Sequence, residues 1–221
     1  MNIDSITLLN WARGSGFEWA LAIFIFGTLY RVLTLLMLGR KRNLAPAKSA
    51  ETSAGVRTVF RRFAPAKGLF SKAPLLHIAG ITFHLGFFLI LFFYTPHIEA
   101  LKTVLGFSWP ALPNSVITAT TVVTMIAMIT LLIYRITDPV RRFISDGHDY
   151  FIWVISFLPL LTGYLAFNHA LLPYTLMLAL HILSVELLMV LLPFTRLGHF
   201  IAIFFARFYS GSDIGRKGVS S

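Results

Sequence analysis

Five stretches of about 20 mostly apolar residues dominate this chain, and a helix of roughly that length is needed to cross a bilayer core of about 30 Å. They run approximately Phe17–Leu38, Pro74–Tyr94, Ser115–Tyr134, Tyr150–Phe167 and Pro173–Phe194. More polar connections separate them, and no internal repeat relates them. The sequence therefore predicts an all-α, polytopic membrane protein with five transmembrane helices.

The composition agrees with a membrane location and limits the chemistry. Charged residues make up 13% of the 221 residues and hydrophobic residues 57%, whereas a soluble domain has about 25% charged residues. We interpret residues 1–221 as a single membrane-embedded domain. The absence of cysteine excludes disulfides, thiolate-held iron–sulfur clusters and c-type haem. A redox centre in this chain would have to be held by histidine or methionine.

Lysine and arginine are distributed unevenly over the connections. The first connection holds nine of them, the third holds three and the C-terminal tail holds four, whereas Arg13 and Lys102 lie on the opposite side. Because cytoplasmic loops carry such an excess, we expect the N-terminus outside and the C-terminus inside. This orientation gives a basic inner loop over residues 39–73 and an amphipathic inner tail over residues 195–221. The net charge of +10 is concentrated at these membrane edges, so no nucleic-acid partner is expected.

Histidines are concentrated in two of the predicted helices. His77 and His84 belong to the second, and His181 and His199 belong to the fifth or its end. The other three fall in connections, where solvated side chains are expected: His97, His148 and His169. A lone histidine in a membrane helix usually bonds to a neighbouring helix. Two on each of two helices instead favour a role as ligands.

The spacing of the four helical histidines is typical of two stacked b-type haems. The 18 residues from His181 to His199 make about five turns, and the 7 from His77 to His84 make about two, so each pair faces one way on a regular helix. We predict that each haem lies between two imidazoles, with His84 opposite His181 and His77 opposite His199.

The depths of these positions agree for one pair only. At about 1.5 Å per residue, His84 lies about 15 Å from the inner start of its helix and His181 about 12 Å from the outer start of its own. These levels nearly coincide in a core of about 30 Å. The step between haems, however, is about 10 Å on the second helix and about 27 Å on the fifth. Tilt or a bend at Pro193 has to absorb this difference, or one assignment is wrong.

Several segments carry a resemblance to one family of dihaem cytochromes b. "LHILSVELLMVLLPFTRLGHF" (residues 180–200) resembles the last helix of the respiratory nitrate reductase gamma subunit family, including both histidines and the "PFTRL" between them. "FIFGTLYR" resembles the first helix of that family, and "LLHIAGITFHLGFFL" with "TPH" resembles the second. His84 comes a few residues earlier than the family's second ligand on that helix, so the fourth ligand is His84 or another residue. "DPVRRFISDGHDYFIWVISFLPLLTGYL" is similar to membrane subunits of heterodisulfide reductase and of sulfite-reduction-associated complexes.

The resemblance implies a function in electron transfer. A protein of this family would hold two b haems and pass electrons between the quinone or quinol pool and iron–sulfur subunits of a respiratory complex. It would lie in the cytoplasmic membrane of a bacterium or archaeon, among membrane lipids. Since the chain has no cysteine, a partner at the inner face would have to carry the clusters.

Three further polar residues are candidates for the same site. Haem propionates need cationic partners near the membrane edge, and Arg31 and Arg196 are the candidates, although Arg31 would otherwise extend its guanidinium to the interface. Glu186 is the acidic residue in the middle of a span. It is a candidate proton acceptor for quinol, or else a neutral carboxyl group bonded to a threonine of "TATTVVT" in the third helix.

Two other classes of protein remain alternatives. A structural anchor would tether an enzyme to the membrane and bind no haem. A transporter or channel would use Arg31, Glu186 and the histidines as a polar pathway.

Overall fold

The computed structural model describes residues 4–39, 46–64 and 67–219, and the regular secondary structure in this part of the chain is helical, with no strand. Arg40, Lys41 and Arg42 of the basic loop lie outside the described residues. The α-helices are α1 (Ser5–Trp11), α2 (Phe17–Met37), α3 (Glu51–Arg61), α4 (Lys67–Lys72), α5 (Pro74–Phe93), α6 (Thr95–Leu105), α7 (Asn114–Thr137), α8 (Pro139–Ile144), α9 (Gly147–Phe167), α10 (Tyr174–Leu191) and α11 (His199–Arg216).

The five predicted membrane helices are present in the described residues, as α2, α5, α7, α9 and α10. Each is long and apolar enough to cross a membrane, and the first is joined to α1 by a π-helical segment at Ala12–Gly16 that is kinked at Gly14. Their ends follow local signals. Helix α7 continues to Thr137 because the break comes at Asp138 and Pro139, and α9 begins at Gly147 because Asp146 and Asp149 form a capping box. This is the architecture of a multi-pass membrane protein.

The chain forms two compact units. Unit 1 contains the N-terminal segment up to Phe17 together with Ala73–Leu188, and unit 2 contains Glu18–Lys72 together with Met189–Ser221.

In unit 1, small and hydroxyl residues bring the membrane helices together. Gly86 of α5 lies directly against Thr124 of α7, whose hydroxyl group donates to the carbonyl oxygen of Thr120 at 2.6 Å. On the next helix pair, Trp153 Nε1 of α9 donates to the carbonyl oxygen of Met128 on α7 at 2.8 Å. Close backbone approach and cross-helix hydrogen bonds are what hold helices together in lipid.

In unit 2, part of the connection predicted as a loop is helical. Helix α3 packs along α11, with Ala54 and Thr58 of α3 directly against Gly215 and Gly211 of α11. Glu51 at the start of α3 forms an ion pair with Arg216 at the end of α11, and both side chains are partly buried. The basic connection and the C-terminal tail are therefore one packed structure.

Candidate functional site

His181 lies on α10 and packs against α9. A Cβ added to Gly163 would lie 2.9 Å from His181 Cε1, so the ring fits only because residue 163 has no side chain. Thr162 Oγ1 lies 3.3 Å from His181 Nδ1 and donates its own hydrogen to the carbonyl oxygen of Leu158 at 2.7 Å. Thr162 Oγ1 therefore accepts from Nδ1, which leaves the lone pair of the His181 ring on Nε2.

His97 is the residue of this region that the sequence analysis missed. Its predicted place in a solvated loop is wrong, because it lies in α6 and is half-buried. Its ring centroid is 6.1 Å from that of His181, with the two planes 24° apart. The signal that could have found it is Pro96, since proline in the first turn after an extended residue such as Tyr94 is typical of a helix start.

The ring of His97 turns back toward the end of α5. Nδ1 lies 2.9 Å from the carbonyl oxygen of Ile90, and since a carbonyl oxygen only accepts, Nδ1 donates and Nε2 carries the lone pair. Burial lowers the pKa of His97, and the hydrogen bond to Ile90 opposes this only in part. The imidazole is therefore neutral near pH 7, the form that binds metal ions.

His77 and His84 lie on α5, as predicted. His77 is half-buried, and its Nδ1 lies 2.8 Å from the carbonyl oxygen of Ala73. His84 is exposed on the helix surface, and its Nδ1 lies 2.7 Å from the carbonyl oxygen of Gly80. In both rings Nδ1 is the donor, so Nε2 is the nitrogen suited to metal ligation.

His199 does not lie on the same helix as His181, so the premise of one regular helix joining them is wrong. Helix α10 ends at Leu191, a 3₁₀ turn follows at Arg196–Gly198, and His199 begins α11. The physical reason is Pro193, which supplies no backbone N–H to continue the helix. His199 Nδ1 lies 3.0 Å from the carbonyl oxygen of Arg196, so it too donates through Nδ1.

The two candidate arginines have different surroundings within unit 2. Arg31 has a buried Nε without a hydrogen-bond partner among the described residues, and its guanidinium lies next to Gly198. Arg196 is exposed in the 3₁₀ turn. A buried guanidinium nitrogen without an acceptor is costly, so the surroundings of Arg31 suit an anion that arrives from outside the chain.

Glu186 is buried, with 6% of its surface exposed, and it faces elements other than those around His181. Its Oε1 would lie 3.2 Å from a Cβ added to Gly16, and this oxygen has no hydrogen-bond partner among the described residues. The alternative role as a carboxyl group bonded to helix three is not seen for this oxygen, because Thr121 and Thr124 donate to carbonyl oxygens of their own helix. Among the described residues, Oε1 of Glu186 on α10 is thus a buried hydrogen-bond acceptor without a donor.

Comparisons with known proteins give one relative. An uncharacterised protein of Nitratidesulfovibrio vulgaris strain Hildenborough is 34% identical to this chain over 146 residues, which cover 66% of this chain and 64% of that protein. The chain therefore matches less than two thirds of the length of this relative. No protein-family model and no solved structure matches the chain.

Proposed function

We propose that this protein is a dihaem cytochrome b membrane subunit that transfers electrons between the quinone pool and an iron–sulfur partner of a respiratory complex. The observation that carries the proposal is the uniform anchoring of the candidate ligands. His77, His84 and His199 donate through Nδ1 to main-chain carbonyl oxygens, and His181 Nδ1 donates to the side-chain hydroxyl oxygen of Thr162. A metal-binding histidine holds its second nitrogen in this way, which fixes the ring and puts the lone pair on Nε2.

The grouping of these rings favours haem over a bare metal ion. No group of three or more His, Asp or Glu side chains able to hold a metal ion occurs in the described part of the chain. A protein site for zinc needs three or four ligands. A haem would need only two imidazoles from the protein, and when bound it would supply one-electron transfer.

The surroundings of Arg31 also fit a haem. Its buried Nε, which has no hydrogen-bond partner in the part of the chain that the structure describes, lies beside Gly198, the residue that precedes His199. A propionate is an anion that would satisfy this nitrogen with a charge-assisted hydrogen bond. The pairing of His77 with His199 and the role of Arg196 stay predictions of the same proposal, as does the binding of quinone near the other haem.

The orientation proposed for the chain has the N-terminus outside and the C-terminus inside. The packing of α3 on α11 supports a common side for the basic connection and the tail. Positively charged connections lie in the cytoplasm, and this side would therefore meet the partner. Some of its cations have other roles, since Arg216 pairs with Glu51 and Lys217 pairs with Asp213.

Partner docking at this face predicts a cross-link pattern. Lys48 and Lys72 are exposed, and an amine-reactive reagent is expected to join them to a subunit that carries iron–sulfur clusters. Replacing every lysine assigned to this face (Lys41, Lys48, Lys67, Lys72 and Lys217) with arginine should abolish the product, because arginine keeps the charge but lacks the reactive amine. Lys102→Arg is the matched control on the opposite side and should leave the product unchanged. A product that depends on Lys102 would contradict the proposed orientation.

The decisive experiment for the function is a haem count on the purified, membrane-inserted chain. A reduced-minus-oxidised spectrum with a pyridine haemochrome assay should give two b haems per chain and no covalently attached haem. A chain without haem would refute the proposal and favour the anchor. Solute or ion flux through the haem-free protein would favour the transporter.

A further inference from the structure

We propose that His97 and His181 are the two axial ligands of one haem, and that His84 is not a ligand of that haem. This inference rests on the proposed function, since it assigns ligands within a dihaem protein. It departs from the pairing of His84 with His181 that the sequence pattern predicts.

The separation of the two rings matches ligation of a single metal ion. With metal–nitrogen bonds of about 2 Å and ring centroids roughly 1.1 Å behind the ligating nitrogens, two imidazoles on opposite sides of one ion have centroids roughly 6 Å apart. The centroids of His97 and His181 are 6.1 Å apart. The planes of the two rings are inclined to each other by only 24°. At this inclination both rings can lie along one axis that passes through a metal ion between them.

Each ring is also held in place by neighbouring groups. His97 is fixed by the hydrogen bond of its Nδ1 to Ile90, and His181 by Thr162 on one edge and by Gly163 of α9 beside the ring. Both anchors leave the lone pair on Nε2.

The two histidines lie at the same side of the membrane. Four consecutive spans, α5, α7, α9 and α10, alternate in direction, so the end of α5 and the start of α10 share a side. His97 follows α5 by four residues and turns back to Ile90, and His181 lies seven residues into α10, about 10 Å from its start.

The assignment also lengthens the step between the two haems on the α5 side. His77 and His84 give a step of about 10 Å along α5, which is shorter than the rise of about 15 Å from His181 to the end of α10 at Leu191. The ring of His97 lies at the level of Ile90, 13 residues from His77, and this gives a step of about 20 Å.

The test compares His97→Ala with His84→Ala in the full-length chain, each scored by haem content and by a redox titration that resolves the two haems. We expect His97→Ala to lose one of two haems and His84→Ala to keep that haem with its midpoint potential unchanged. The double variant His97→Ala/His181→Ala should lose no more haem than either single variant, because both side chains belong to one site. Loss of this same haem from His84→Ala, with both haems kept by His97→Ala, would overturn the assignment while leaving the proposed function intact.

A second variant keeps the test informative if His97→Ala does not fold. His97→Met supplies a thioether ligand in place of imidazole, and methionine ligation raises the potential of a b-type centre. We expect the variant to insert and to shift the midpoint potential of one haem upward while the other stays at its wild-type value. Two unchanged potentials would refute the role of His97. A wild-type chain without haem would instead refute the proposed function, so the two failures are distinguishable.

Discussion

Replacing His181 with alanine is expected to remove one of the two b haems and to leave the five-helix protein in the membrane. The imidazole supplies an axial ligand, whereas the apolar surface that inserts the helices is unchanged, since α10 remains an 18-residue apolar helix. The pyridine haemochrome yield per chain should fall to about half, because a bis-histidine site that loses one ligand binds haem poorly. The measurement is haem per chain after purification from membranes.

A second variant displaces the ring of His181 without removing it. Gly163→Val keeps His181 but places side-chain atoms where the ring now lies, because even a Cβ there would come within 2.9 Å of Cε1. We expect it to deplete the same haem. His169→Ala, in the exposed connection before α10, is the matched control and should keep both haems. If His181→Ala kept its full haem content, His181 would not be a ligand.

The membrane helices could be predicted from the sequence because their signal is local. Length and apolar composition decide whether a segment crosses a bilayer, and each stretch carries its own signal. The end of α10 could not be placed in the same way. Apolar residues continue to Phe194, and the chain becomes apolar again after His199, so hydropathy gave no break there. The backbone constraint of Pro193 ended the helix instead.

The place of His97 depends on tertiary contacts that no local pattern contains. Its neighbour in the ring contact, His181, is 84 residues away in the sequence, and the space for the His181 ring depends on a glycine of a third helix. The packing of α3 against α11 likewise depends on contacts between residues that are distant in the sequence. The distribution of lysine and arginine predicts a basic loop over residues 39–73. In the structure the small residues Ala54 and Gly215 permit close packing of α3 against α11.

Replacing Glu186 with glutamine is expected to slow the reduction of haem by quinol by about a hundredfold, within the range that one general base contributes. Quinol oxidation releases two protons with two electrons, so the site needs a proton acceptor beside the electron acceptor. Glu186 is buried in the membrane part of α10, and its Oε1 lacks a partner among the described residues, so this oxygen has an unused lone pair. Glutamine keeps the size and most of the hydrogen bonding but cannot accept the proton.

Two reductants distinguish proton transfer from damage to the haems. Dithionite needs no proton acceptor on the chain, so it should still reduce both haems of Glu186→Gln completely, while quinol reduces them slowly. Glu18→Gln makes the same chemical change at an exposed carboxylate at the start of α2 and should behave as the wild type. Glu186 faces Gly16 rather than the ring of His181, so the proposal requires the quinone to lie between helices and not against that ligand. Unchanged quinol kinetics in Glu186→Gln would assign Glu186 a structural role, and the proton acceptor would then have to be sought at the outer edge, where His169 is the next candidate.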